Sequence, residues 1–239
     1  MKNIIKNQEI EIIVDNRIRE YESRNGAITD PCTPIENIIE DCGFKILYDK
    51  IEEGSGEKIF GGLDLKSKTI IINEIHIQLF KEKPGLERFT LAHELGHWDV
   101  FLNKDSNQNS VSFDFYTDTE GVVFRKSGIG SIAVLTDLWC DDDVYDVFKT
   151  HAKKKDHPYV ASAVDRYANF LLIPEKFLSD LVLRIDLTDW KALYSLAKTF
   201  QVTISALCVR LQRMKLIYIK NKKLYRTKDE AVGQASFGF

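Results

Sequence analysis

The sequence predicts an α+β fold, and three observations carry the prediction. Apolar residues recur at helical spacing near residues 3–24, 84–102 and 158–178. Short β-branched runs with glycine-rich joints lie between the first two of these segments. No internal repeat is evident, so the pattern is that of a globular unit rather than a solenoid. At 239 residues the chain holds one large domain or a domain plus an appendage, and it buries a core without staples. Hydrophobic residues at 44% and charged residues at 29% are ordinary for a folded protein, and a net charge of −3 calls for no polyanion partner.

The elements follow in order. Ile4, Ile5, Ile12, Ile13 and Ile18 among charges predict an amphipathic helix. "NGAITDPCTP" breaks it with turn formers. "TPIENIIEDCG" then reads as a second helix, with Thr33 as cap, Pro34 in the first turn, Glu36 three residues after the cap and Gly43 past the end. "FKILYDKI", "GGLDL" and "KTIIIN" read as strands. "KPGLERFTLAHELGHWDVFL" returns to helical spacing through Leu86, Phe89, Ala92, Leu95 and Leu102. Residues 103–157 read as an insertion: a polar turn-rich stretch, "GIGSIAVL" as a strand or loop, and an acidic run at Asp141–Asp143 that reads as solvated surface. "HPYVASAVDRYANFLLIPEKFL" is helical up to Pro174, two short helices flank "QVT", and "LIYIKNKKLYRT" alternates around an Asn-Lys-Lys turn like a hairpin. The expected organisation is an N-terminal helix over 1–27, a main domain over 28–186 with the insertion at about 103–157, and a C-terminal segment and tail over 187–239.

Cys32, Cys42, Cys140 and Cys208 are scattered with no CxxC pair, which argues against a zinc knuckle and suits a reduced, cytoplasmic protein. The first residues carry no signal-type apolar core, and no run approaches the roughly 18 apolar residues of a membrane span. A soluble protein with no membrane partner is expected.

The chemistry is concentrated in "RFTLAHELGHWDVF". On a helix, His93 and His97 stand one turn apart on one face, so both imidazoles reach one ion. Glu94 is rotated by about a hundred degrees from His93, beside the ion rather than on it. It can therefore take a proton from a metal-held water and return it to the leaving amine. A catalytic zinc wants three protein ligands and an open position. The third histidine of an HExxHxxGxxH pattern is missing, since Asn103 stands there. The remaining donor must come from elsewhere, most simply from a second helix.

"RFTLAHELGHW", followed by "VDRYANFLLIP" and "LAKTFQVTISALCVRLQRMKLI", resembles the ImmA/IrrE family of zinc metallopeptidases, and "GGLDLKSKTIIIN" is similar to that family's small sheet. The resemblance spans roughly 32–218, the insertion excepted. It implies a gluzincin-like, zincin-type core, one Zn2+ ion, and cytoplasmic proteolysis of a helix-turn-helix repressor, often one encoded alongside on a phage or mobile element. Beyond that core, the two short helices, the turn and the basic hairpin themselves read as a C-terminal winged helix-turn-helix-like segment. The resemblance carries over His93 and His97 as metal ligands, Glu94 as catalytic base and Asp165 as the downstream acidic residue. The sequence departs from the family at Ala161 and Ala163, where an acidic ligand is usual. The third ligand stays open between Asp165 itself, Asp156 or His157 folding back, and a donor from the insertion such as Asp118 or Glu120. A degenerate site is the competing reading: a zincin-fold regulator that binds DNA or protein without proteolysis. Asp165 has a second role open to it, as a buried carboxylate orienting a ligand histidine.

From Trp190 to Lys228 there are ten basic residues and no acidic one, leaving 23 basic against 36 acidic in the rest of the chain. Its basic face could contact phosphates, with salt-dependent affinity. The alternative is that this segment packs on the main domain, and Leu193, Leu196, Phe200, Ile204, Leu207 and Leu211 read as core.

Overall fold

The computed structural model describes residues 5–54, 58–102, 122–127 and 158–232. The fold is α+β, with a small mixed sheet and a majority of helix. In chain order the elements are α1 (Asn7–Asn25), α2 (Ile35–Asp41), β1 (Lys45–Asp49), β2 (Lys58–Asp64), β3 (Thr69–Asn73), a 3-10 turn (Glu74–His76), α3 (Ile77–Glu82), α4 (Pro84–His97) and a π-helical turn (Trp98–Leu102). Then come β4 (Val122–Ser127), α5 (Pro158–Leu172), α6 (Glu175–Val182), α7 (Trp190–Phe200), α8 (Ile204–Arg213), β5 (Tyr218–Lys220), β6 (Lys223–Tyr225) and α9 (Lys228–Val232).

The sheet runs β1-β3-β2-β4, with β1 parallel to β3 and β2 antiparallel to both β3 and β4. The turn from β2 to β3 is short because Asp64 caps it, its carboxylate taking the Lys66 N–H at 2.9 Å and the Ser67 hydroxyl at 2.6 Å. Phe60, Leu63, Ile70 and Ile72 are fully buried, and α4 lies across this part of the sheet. The approach is close at Gly61, where a Cβ would come within 2.8 Å of Thr90 Cγ2 and 2.9 Å of the Ile71 carbonyl oxygen. One hydrophobic core runs from Ile10 on α1 to Leu224 on β6, so the C-terminal segment shares the core of the main body.

Three details differ from the sequence reading. Thr33 does not cap α2: Pro34 holds the cap position, and the fully buried Thr33 hydroxyl donates to the Leu171 carbonyl at 2.8 Å. That carbonyl lies in the last turn of α5, where carbonyls lack helical partners, so burial diverts the hydroxyl to a tertiary role. Second, the stretch expected as an insertion contributes a sheet strand, since β4 pairs with β2 through Gly62↔Phe124, Leu63↔Val123 and Asp64↔Val122. Third, the β5–β6 turn uses only Asn221 and Lys222, at φ 51° and 60°, with Lys223 already in β6. Two consecutive positive φ values match the twist of a two-residue hairpin.

The remaining terminators behave as expected. Gly43 ends α2 at φ 80°, and Gln201 ends α7 in the left-handed region at φ 51°. Thr203 caps α8 by accepting from the Ala206 N–H at 3.2 Å. Helices α7 and α8 meet at 102°. Among the described residues no single helix is long and apolar enough to cross a membrane.

Candidate metal centre

Helix α4 starts with Pro84 in its first turn and is buried along nearly its whole length, from Gly85 to His97. His93 is 4% exposed, Glu94 0% and His97 6%, so the motif is interior. The two imidazoles stand one turn apart with ring centroids 4.9 Å apart and planes inclined at 73°. This edge-to-face placement is what one helical face gives to residues four apart.

Asp165, from α5, puts Oδ1 at 2.8 Å from His93 Nδ1. A carboxylate only accepts, so Nδ1 carries the hydrogen and the ring lone pair sits on Nε2. A carboxylate behind an imidazole fixes tautomer and ring angle and raises ligand basicity. Of the two roles left open for Asp165, this contact is that of the orienting carboxylate. Ala161, four residues earlier, lies on the same helix.

The donor set therefore suits a zinc site in part: two imidazoles on one face, one of them held by a carboxylate. Among the described residues no group of three or more His, Cys, Asp or Glu side chains is arranged to hold a metal ion. Asp118, Glu120, Asp156 and His157 lie outside the described residues, as does the acidic run Asp141–Asp143.

A buried polar network beside the motif escaped the sequence reading. Asp99, two residues past His97 on the π turn, is 2% exposed. It accepts from Arg17 Nε of α1 at 2.8 Å, from the second Arg17 nitrogen, and from the Tyr167 hydroxyl of α5. Arg17 also reaches Glu20 at 2.7 Å. Burial works against the Arg17 charge, but the hydrogen bond and charge of Asp99 outweigh it and hold the guanidinium above its ordinary pKa. Burial, with the Asp99 charge added, pushes the Tyr167 phenol well up. The same tyrosine ring seals against Gly96, where a Cβ would meet Tyr167 Cδ1 at 2.9 Å. The available signal was an acidic residue in the otherwise apolar "HWDVFL".

The basic C-terminal segment divides in two. On α8, Ser205, Ala206, Leu207, Cys208, Arg210 and Leu211 are buried. Arg210 stacks over the Phe170 ring at 4.2 Å and lies 3.5 Å from both Glu11 and Glu175. Asn169 Nδ2 donates to the Ala206 carbonyl at 2.8 Å, and α8 approaches so closely that a Cβ on Gly85 would fall 2.7 Å from Thr203 N. Lys191, Lys198, Lys215, Lys220, Lys222 and Lys223, by contrast, are exposed. The hairpin turn is tied to α7 by Trp190 Nε1, which donates to the Lys222 carbonyl at 2.9 Å.

Compared with known proteins, the sequence matches no family model and no curated protein.

Proposed function

We propose that the protein is a zinc-dependent endopeptidase of the ImmA/IrrE kind, with a zincin-type core and a winged helix-turn-helix-like C-terminal segment. It works inside the cell on a regulatory protein, in the first instance a helix-turn-helix repressor. One observation carries this reading: His93 and His97 share a face of a buried helix with Glu94 between them, and Asp165 backs His93 at 2.8 Å. His93 and His97 would hold the ion, and a donor outside the described residues would complete its protein ligands. A bound zinc ion supplies Lewis acidity and lowers the pKa of its water to about 7.

The side chains have separate tasks. Asp165 holds the Nδ1 hydrogen of His93 and keeps the ring aimed. Glu94 receives the proton of the attacking water on its carboxylate and passes it to the leaving amine. Burial of the α4 face excludes bulk water from that exchange.

The test is metal analysis with two substitutions. Purified protein is expected to hold one zinc per chain and to lose it on His93→Ala. Glu94→Gln is expected to keep zinc and to stop cleavage of a helix-turn-helix repressor that the parental protein cuts. Cleavage by Glu94→Gln at the parental rate would remove the assigned base, and parental protein without zinc would remove the enzyme reading.

A regulator that contacts nucleic acid is the second reading, favoured by the exposed lysines of the hairpin and α7. Because α8 is core, such contact would be through the hairpin and phosphates rather than through a helix in the major groove. It would weaken steeply with salt.

A further inference from the structure

Among the described residues, strand β1 is an edge of the sheet, bonded on one side to β3. Natural edges are usually blunted by proline, bulges or inward charges. β1, "KILYD", has no proline and pairs with β3 without a register shift, and its two charges stand at its ends. Between them Leu47 and Tyr48 are 47% and 46% exposed. Ile75 and Ile77, which follow β3 in the chain, are also exposed apolar residues.

The backbone register says which groups face outward. Lys45 N–H donates to the Lys68 carbonyl at 2.9 Å, so Lys45 faces β3. By the alternation of a strand, Leu47 and Asp49 do the same, while Ile46 and Tyr48 present N–H and C=O to the open side.

We propose that β1 is a homodimer interface, pairing antiparallel with β1 of a second copy about a twofold axis at Leu47. In that register Ile46 faces Tyr48 of the second copy, and these are the residues whose backbone groups point outward, so they form the hydrogen-bonded pairs. Leu47 faces its own equivalent as the closer, non-hydrogen-bonded pair. Lys45 faces Asp49 at both ends. Shifting the register by one residue would set outward groups against inward ones, and shifting it by two would part the charges. The strand is complementary to itself in backbone, apolar contact and charge, which is the requirement of an isologous interface. Asp49 Oδ1 also accepts from Lys50 N–H at 2.7 Å, which fixes this carboxylate at the strand end. A five-residue pairing is small for an interface, so association is expected at micromolar concentrations.

The experiment is sedimentation equilibrium of the full chain from about 1 to 200 µM, the range in which an interface this small associates. The parent is expected to pass from monomer to dimer. Lys45→Asp sets two carboxylates together at each end and is expected to weaken the dimer roughly tenfold. The double reversal Lys45→Asp/Asp49→Lys is expected to restore the parental constant. Leu47→Lys puts like charges on the axis and is expected to abolish dimerisation. All these side chains are exposed, and unchanged circular dichroism verifies the fold. A parent that stays monomeric throughout, or a dimer indifferent to Leu47→Lys and Lys45→Asp, overturns the proposal; a double reversal no stronger than Lys45→Asp overturns the register.

Discussion

Asp99→Asn is the most informative perturbation of the site's frame. Asparagine has nearly the same shape, and with its oxygen in the Oδ2 position it still accepts from Tyr167 and Arg17 Nε. Its NH2 then faces Arg17 Nη2 donor to donor, so the change removes the charge opposite Arg17 and one hydrogen bond with it. Arg17 is 7% exposed and cannot shed its proton, so it is left as a buried cation beside the half-exposed Glu20. Breaking a buried pair from one side costs roughly 3–5 kcal/mol. For a chain of this size each kcal/mol moves the melting temperature by about 2–4 °C, giving a fall of roughly 6–20 °C. The assay is far-UV circular dichroism with temperature, on metal-free protein at two scan rates. Replacing both partners, as Arg17→Met/Asp99→Leu, is expected to cost less than Asp99→Asn alone, because it leaves no orphaned charge. A melting temperature within about 1 °C of the parent, against the fall expected from breaking such a pair, would refute the reasoning. So would a double variant less stable than the single.

Other outcomes follow from the same geometry. Asp165→Ala is expected to lower zinc affinity by about 10–100-fold in competition with a chromophoric chelator, through loss of the His93 Nδ1 contact at 2.8 Å; a parental affinity would show that the carboxylate does not set the ring. Gly96→Ala forces a methyl to 2.9 Å from Tyr167 Cδ1 and is expected to destabilise by about 1–3 kcal/mol in urea unfolding, where an unchanged midpoint would contradict the close approach. Burial pushes the Cys42 and Cys208 thiols up to about 12, so both stay protonated at pH 8. They are expected to react with a disulfide reagent orders of magnitude more slowly in native protein than in denaturant; equal rates would mean that these thiols are not held in apolar surroundings.

The sequence was most legible where a period or a terminator repeats a local rule. Helices α1, α4, α5, α7 and α8 and the first three strands lie where hydrophobic spacing put them, and Gly43 and Pro174 end helices as their backbones require. β4 was not legible because "VVFRKS" follows a long polar, turn-rich stretch and its second half, Arg125-Lys126-Ser127, has no apolar residue to carry an alternation. Thr33 looked like a cap because capping is a local rule, yet full burial gave its hydroxyl to a carbonyl 138 positions away. α8 shows the same limit on a larger scale. Its basic residues suggested a free face, but Arg210 is 3% exposed and lies over Phe170.

The site divides along the same line. His93, Glu94 and His97 are related by helical geometry alone, so five letters of sequence give their mutual placement. What sets that helix against its neighbour is long-range: Asp165 on His93, the Tyr167 ring on Gly96, and the Tyr167 hydroxyl on Asp99. These contacts run from four residues before His97 to two after it, and all reach the single helix α5. Sliding or rotating α4 against α5 would therefore break a hydrogen bond at one end or press Gly96 into the tyrosine ring. Arg17 then ties α1 to the same carboxylate, so three helices meet at one buried charge pair. A pair of imidazoles that shares one ion, as proposed for His93 and His97, needs its separation held to within tenths of an ångström. This clamp supplies that rigidity from residues that no local motif records.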